Sequence, residues 1–464
     1  MNTTKAGRLL ATFSKKEWTE FSEYLLSPLL NKHQELIPLV QWMSLQAIHW
    51  PAEKAWNAAY PHTPRDDKRF NYLMAWLLDA ATRFLTWQHW AQQPSAARIT
   101  AARLLSERGL NKHYEFETER LRREIQNRSI KDASWWLTSF DLNEVERQHF
   151  SRQETRRSNP FLQKGADFLD RYYFTQKLKY ACAMMSEQGI VANAAEYLFV
   201  EETAEFIAKN AELYLNEPSI AVYYHIWRML TSESDSETEF RRLRSLIQTR
   251  LDHFTHEDGR NLYEYALNYC IRQIRHLREP YVGEALQLYE TGIDTGILLI
   301  DERLSPWHYK NVVKLGLRSG RYEWTEQFIR QKNELLEASF RDDALHFNLA
   351  DLYFFTKNFN SALEHLHRVE FSDVHYNLGA KEMLAKIYCE TGADDALISL
   401  LNAFKIYLRR NKIIGEQVQK PYLNFIRLLE KVMKCPPKER ALLRGQIEQT
   451  ESVVAKSWLL GLLH

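Results

Sequence analysis

A chain of 464 residues is long enough for two or three domains of about 100 to 200 residues each, or for one extended repeat array. Hydrophobic residues make up 45%, aromatics 13% and charged residues 26%, a balance that excludes an extended disordered chain. The 15 Gly and 13 Pro are too few for a protein of many strands and tight turns. With 61 Lys+Arg against 60 Asp+Glu, the net charge of +1 supplies no global field toward nucleic acid or an anionic membrane.

The first marked helix start is Phe13-Ser14-Lys15-Lys16-Glu17-Trp18. There Ser14 can cap the backbone while Glu17, three residues on, bonds back, and Phe13 and Trp18 can close a hydrophobic staple over the cap. Trp18, Phe21, Tyr24 and Leu25 continue an apolar face, and a second helix is expected near Leu36 to Leu45, with Pro51 opening the next. From Asp66 to Gln92 a long helix gathers Phe70, Met74, Leu77, Leu78, Ala81, Phe84, Leu85 and Trp87 on one broad face, with Trp90 beside it, and burial of that face is expected. Further helices follow at Ser95 to Arg108, closed by Gly109, at His113 to Asn127, and at Asp132 to Phe150. The charges of Glu115 to Arg128 alternate at intervals that suit pairs within one helix.

The polar run Ser151 to Pro160 breaks this pattern and reads as a domain boundary, giving an N-terminal helical domain over residues 1–158. Beyond it the spacing predicts helices at Phe161 to Ser186, Ala192 to Leu215, Ile220 to Leu230, Glu237 to Phe254 and Gly259 to His276. The short turns between them imply antiparallel pairs.

A repeat becomes visible farther on. One unit carries His346, Leu349, Ala350 and Tyr353 on a first helix, Phe359 at the turn, and Ala362, Leu366 and Val369 on a second. The next carries Leu384, Ala385 and Tyr388, then Gly392, then Ala396, Leu400 and Ala403, with a turn shorter by one residue. The preceding unit runs Tyr309, Val312, Val313 and Gly316, then Gly320 to Thr325, then Phe328 and Ile329. This pattern resembles the tetratricopeptide repeat, in which a small residue in each helix lets the two backbones approach. The resemblance spans about residues 261–404 and weakens toward its start. It implies an all-α fold, an α-solenoid of antiparallel helix pairs over residues 159–404 closed by C-terminal capping helices over residues 405–464. It further implies an inner groove lined by the first helix of each pair, with Lys310, Lys314, Arg318, Phe347, Asp351, Phe354, Phe355 and Lys386 as protein-binding positions, alongside Trp307, Glu382 and Glu390. Phe354 and Phe355 are the sharpest candidates for anchors. The mixture of Lys, Arg and acids gives no uniform basic clamp for a partner's C-terminal carboxylate.

Chemistry-bearing motifs are scarce. Cys182, Cys270, Cys389 and Cys435 never form C-x-x-C, which argues against zinc, redox and disulfide frameworks and fits a reducing compartment. His253 and His256 lie beside Asp252, Glu257 and Asp258 but read as ordinary surface residues, and His365 and His367, two apart, point to different helix faces. No Gly-rich phosphate loop and no G-x-S-x-G occurs; pairs such as Glu201-Glu202 and Asp394-Asp395 are expected to face solvent. The basic region after Phe404, from Lys405 to Arg444, reads as solvated helix faces. No stretch approaches the about 20 apolar residues of a membrane span, and the N-terminus has no secretory core. The reading that follows is a cytoplasmic, non-catalytic scaffold or adaptor that binds a protein or peptide partner, with no cofactor, no metal and no membrane association. A nucleic-acid-associated regulator and an enzyme of unrecognised class stand as alternatives. The near-neutral first 60 residues and the acid-matched Glu115–Arg128 helix disfavour nucleic acid.

Overall fold

The computed structural model describes residues 1–46, 48–153, 157–188, 198–232, 234–369, 374–411 and 415–463. Among them the regular structure is helical apart from one short strand pair, so the fold is all-α. The chain divides into two units, Met1–Ala221 and Val222–His464.

The first unit opens with α1 (Lys5–Leu10), α2 (Lys15–Leu26), α3 (Leu36–Ser44), α4 (Ala52–Ala59) and α5 (Asp67–Ala91). The expected capping box is present: the Glu17 N–H donates to Ser14 Oγ at 3.2 Å, and the Ser14 N–H donates to Glu17 Oε2 at 2.7 Å. Those bonds hold the Glu17 carboxyl below its ordinary range. Phe13 and Trp18 meet with ring centroids 5.8 Å apart. Phe21, Phe70, Leu73, Leu77, Ala81 and Phe84 form the core of these five helices. The broad face of α5 is buried only along its first two thirds. Trp87, expected inside, is 46% exposed although its ring meets Tyr24 at 6.0 Å, and Trp90 beside that face is 48% exposed.

Next come α6 (Pro94–Glu107), α7 (Asn111–Gln126), α8 (Ala133–Arg152) and α9 (Phe161–Gln188). The α7 charges pair within the helix, Glu119 with Arg122 and Arg123, and also between helices: Arg122 reaches Glu146 of α8, and Glu124 receives Arg98 of α6. α8 packs along α9 across the polar run, whose residues 154–156 lie outside the described residues. The contact is close because Gly165 has no side chain; a Cβ there would lie 2.7 Å from Asn143 Nδ2. The expected helix from Ala192 opens on residues 192–197, also outside the described residues. Beyond them α10 (Val200–Lys209) and α11 (Ala211–Tyr214) are separated at Asn210, and the division between the units falls within α12 (Pro218–Thr231).

The second unit continues with α13 (Ser236–Arg250), α14 (His256–Arg275) and α15 (Pro280–Asp294). A strand pair that helical periodicity does not disclose follows, β1 (Leu299–Ile300) with β2 (Arg303–Leu304). Asp301 and Glu302 turn it with φ of 48° and 61°. The hairpins α16 (Pro306–Arg318) with α17 (Tyr322–Lys332), α18 (Ala338–Phe355) with α19 (Phe359–Leu366) and α20 (Val374–Glu390) with α21 (Asp394–Arg410) come after it. Each helix packs on the next, and α16, α18 and α20 also pack in sequence on one another, which makes this unit a solenoid of helix pairs. Helices α22 (Glu416–Met433), α23 (Arg440–Gln449) and α24 (Lys456–Gly461) close it around Phe404, Leu408, Phe425 and Leu459.

One turn device recurs. The hairpins bend at a left-handed residue, Leu277, Gly320, Lys357 or Gly392. The following N–H then donates five residues back: Arg278 to Gln273, Arg321 to Gly316, Asn358 to Tyr353, and Ala393 to Tyr388. Small residues let the paired backbones approach, with Ala350, Ala362 and Ala385 fully buried and a Cβ on Gly316 only 2.3 Å from Thr325 Oγ1. The turn before α21 has the same length as the others, not one residue fewer as expected: counted from Gly392, Leu397 takes the place of Ala362, so Leu397, Leu401, Phe404 and Leu408 face inward, and Ala396 and Ala403, expected inside, lie one position off that stripe and are exposed.

Gly320 has φ of 71° and open space where a Cβ would stand. Gly320→Ala is therefore expected to cost about 1 kcal/mol through backbone strain alone. The reverse change at the equivalent turn, Lys357→Gly, should be neutral or stabilising. Urea unfolding midpoints followed by circular dichroism check both.

Candidate functional site

The repeated turn fixes the register of the first helices. Counted back from Gly320, Lys357 and Gly392, the residues Lys314, Asp351 and Lys386 occupy the same position on α16, α18 and α20. Lys310, Phe347 and Glu382 match one turn earlier, and Arg318, Phe355 and Glu390 one turn later. The eight residues expected to line a groove thus fall on one continuous face, but with different exposures.

Phe347 and Asp351, expected as exposed positions, are buried at 3% and 9% exposure. Phe347 sinks because α20 presents Gly379 opposite it, where a Cβ would lie 2.9 Å from the Phe347 ring. Tyr376 meets the ring edge-on at 5.3 Å, and Lys310 Nζ sits 4.7 Å from its centroid. Asp351 lies in the field of three lysines. Burial pushes its carboxyl above the ordinary range, against the pull of Lys314, Lys386 and Lys310, and the Glu382 charge adds to the rise.

Lys386 is tied down on both sides. It pairs with Glu382 at 2.5 Å, both side chains being 18% exposed, and its Nζ lies 5.9 Å from the Phe354 ring and 6.0 Å from the Trp458 ring. Trp458, on α24, donates its indole N–H to Glu390 Oε1 at 2.9 Å. The C-terminal helix thus reaches back onto the α20 part of the face, and no helical periodicity in the sequence signals it. Phe354 is half-buried against Phe359, at 5.9 Å, and Phe355. Phe355 is 47% exposed in the last turn of α18, and Trp307 is 54% exposed in the first turn of α16. Lys314 and Arg318 are exposed on α16; Arg318 pairs with Glu279 at 2.5 Å.

The histidines take structural positions. His346 and His365 join α18 to α19 with Nδ1 atoms 2.8 Å apart, and His365 stacks on Tyr353. His367 is exposed, His256 bonds the Gly296 carbonyl at 3.0 Å, and His253 stands 4.0 Å from Asp252. Among the described residues no group of three or more His, Cys, Asp or Glu is placed to hold a metal ion. Glu201, Glu202, Asp394 and Asp395 are exposed in the first turns of their helices, where negative charge favours the helix dipole. No helix among the described residues is long and apolar enough to cross a membrane. No family model, no curated protein and no solved structure matches the chain.

Asp351 gives a test of this electrostatic arrangement. A carboxyl that binds its proton more readily folded than unfolded contributes stability that is fully present below the ordinary carboxylate pKa and is lost as pH rises through the raised folded value. Asp351→Asn keeps a neutral side chain of similar shape at every pH, so its urea midpoint should gain on the wild type as pH rises above the ordinary carboxylate value of about 4. Midpoints that move in parallel would remove the carboxylate from this account.

Proposed function

We propose that the chain is a non-catalytic protein-binding scaffold whose tetratricopeptide-like array receives an extended peptide or a partner helix on the α16–α18 face. One observation carries this reading. Two large aromatic side chains, Trp307 in the first turn of α16 and Phe355 in the last turn of α18, stand about half exposed toward opposite ends of the face that carries Lys310, Lys314 and Arg318. Single exposed apolar residues are ordinary on protein surfaces, but aromatic anchors on a face that also carries cations suit an extended partner that spans it. The chemistry favours a partner with apolar side chains set among carboxylates, drawn in by the lysines and anchored by the rings. Lys386, expected to share in binding, is already engaged by Glu382 and Trp458, so the α16–α18 part is the receiving surface.

In this proposal residues 159–404 carry recognition, with residues 1–158 a separate helical domain and residues 405–464 a cap. The cytoplasmic assignment belongs to it too, supported by four cysteines that form no disulfide.

The test is co-purification of the tagged full-length protein from its native cell, repeated with Trp307→Ala/Phe355→Ala and with Lys310→Glu/Lys314→Glu. A protein recovered at near-stoichiometric amounts with the wild type should fall about tenfold or more with either double variant, while circular dichroism stays unchanged. Equal recovery by all three, or recovery of nucleic acid alone, would sink the proposal.

A further inference from the structure

Three helices of the first unit enclose a cavity of about 440 Å³, distant in sequence from the face described above. Arg122, Ile125 and Gln126 come to it from α7; Trp135, Ser139, Leu142, Asn143 and Glu146 from α8; Phe161, Lys164 and Phe168 from α9. The α8 residues recur at the three- and four-residue intervals of a core-facing stripe. Yet Ser139, Asn143 and Glu146 are too polar, and the first two too small, to fill the space between three helices. The volume falls within the range of about 300–1,000 Å³ common to small-molecule sites. Ile125, Leu142 and Asn143 are buried, while Gln126 and Lys164 are exposed and mark the mouth.

The polar groups of the interior are unevenly used. Its donors are committed: Trp135 Nε1 donates to the Ile125 carbonyl at 2.8 Å, Ser139 Oγ to the Trp135 carbonyl at 2.8 Å, and Asn143 Nδ2 to the Phe161 carbonyl at 2.8 Å. Arg122 donates to Glu119 and, through Nε and Nη2, to Oε1 of Glu146. An acceptor is left over. The bond to Phe161 fixes which end of the Asn143 amide is nitrogen, and its Oδ1, on a side chain only 2% exposed, has no hydrogen-bond partner among the described residues. Arg122 holds Glu146 through Oε1 alone. A buried acceptor without a donor is costly, and here Asn143 Oδ1 is one, on a side chain that lines a cavity with apolar and aromatic walls. The carboxylate is already offset by Arg122, with Lys164 at the mouth, so the site has no surplus negative charge to hold a cation.

We propose that this cavity binds a small, neutral, flat heteroaromatic molecule that carries an N–H donor on its ring edge. The ring lies against Trp135, Phe161 and Phe168, and its N–H donates to Asn143 Oδ1. This site is independent of the α16–α18 face and stands or falls without it.

The probes are indole and benzothiophene, near-isosteres that differ in whether the ring edge offers N–H or sulfur, titrated calorimetrically into the full-length protein. Indole should bind saturably at one site, and benzothiophene about tenfold more weakly, the worth of one buried hydrogen bond. Asn143→Leu should narrow the difference between the two, and Ser139→Phe, which fills the cavity, should abolish both. The wild-type comparison needs no variant to fold. The proposal is overturned by the absence of saturable indole binding, by equal affinities for the two rings, or by binding that a folded Ser139→Phe variant retains.

Discussion

The hydrogen bond that closes each helix hairpin around a left-handed residue sets the geometry on which the second unit depends. It ends the first helix at a defined residue, turns the chain within a few positions, and starts the second helix in a fixed rotation. Because the same bond recurs after α14, α16, α18 and α20, the helices it separates repeat their register, and equivalent positions stand beside one another on neighbouring first helices. The line of Lys314, Asp351 and Lys386 follows from that repetition, not from any local preference of those residues. The same register before α21 turns Leu397, Leu401, Phe404 and Leu408 inward, with Leu397 at the position that Ala362 holds in the preceding pair.

Both units tie neighbouring helices together with ion pairs that cross between them. In the first, charged side chains cross between helices: Arg122 to Glu146 and Arg98 to Glu124 tie α7 to its neighbours, and Asn143 bonds the backbone of α9. Polar groups there reach positions that apolar side chains would otherwise fill, beside an open cavity lined by Asn143, whose Oδ1 has no hydrogen-bond partner among the described residues. In the second, small residues draw the paired helices together, ion pairs such as Arg244 with Glu284, Lys332 with Asp294 and Lys405 with Glu430 cross between helices, and the buried polar side chains include Glu239, Asp258, Asp343 and Asp351. At Asp351 burial outweighs the field of lysines from both neighbouring helices, so its carboxyl holds a proton more readily than an ordinary carboxyl does.

Much of this was legible in the residues. Ser14 and Glu17 announce their own cap, Gly320 and Gly392 their turns, and the alternation of small and large side chains from Tyr309 to Val369 the helix pairs, because each is a local signal with a local cause. What escaped depends on distant partners. Phe347 sits at a groove position by periodicity, yet Gly379 on the next repeat opens a recess that takes it in. Trp87 lies on the apolar face of α5 by periodicity, yet Tyr24 and Phe84 cover only part of its ring. The Asp301-Glu302 turn lacks the glycine that usually marks a tight hairpin, and the return of Trp458 to Glu390 joins residues far apart in the chain. Of the anticipated binding residues, Phe347 and Asp351 are buried, Arg318 pairs with Glu279, and Lys386 is engaged by Glu382 and Trp458.

Hydrogen–deuterium exchange of the full-length protein, alone and with its co-purified partner, addresses the binding face most directly. The account predicts slowed exchange at the amides of residues 306–318 and 338–355 on complex formation, with residues 1–158 unchanged. Protection confined to the N-terminal residues, or to the helices from α22 onward, with α16 and α18 exchanging as in the free protein, would contradict it.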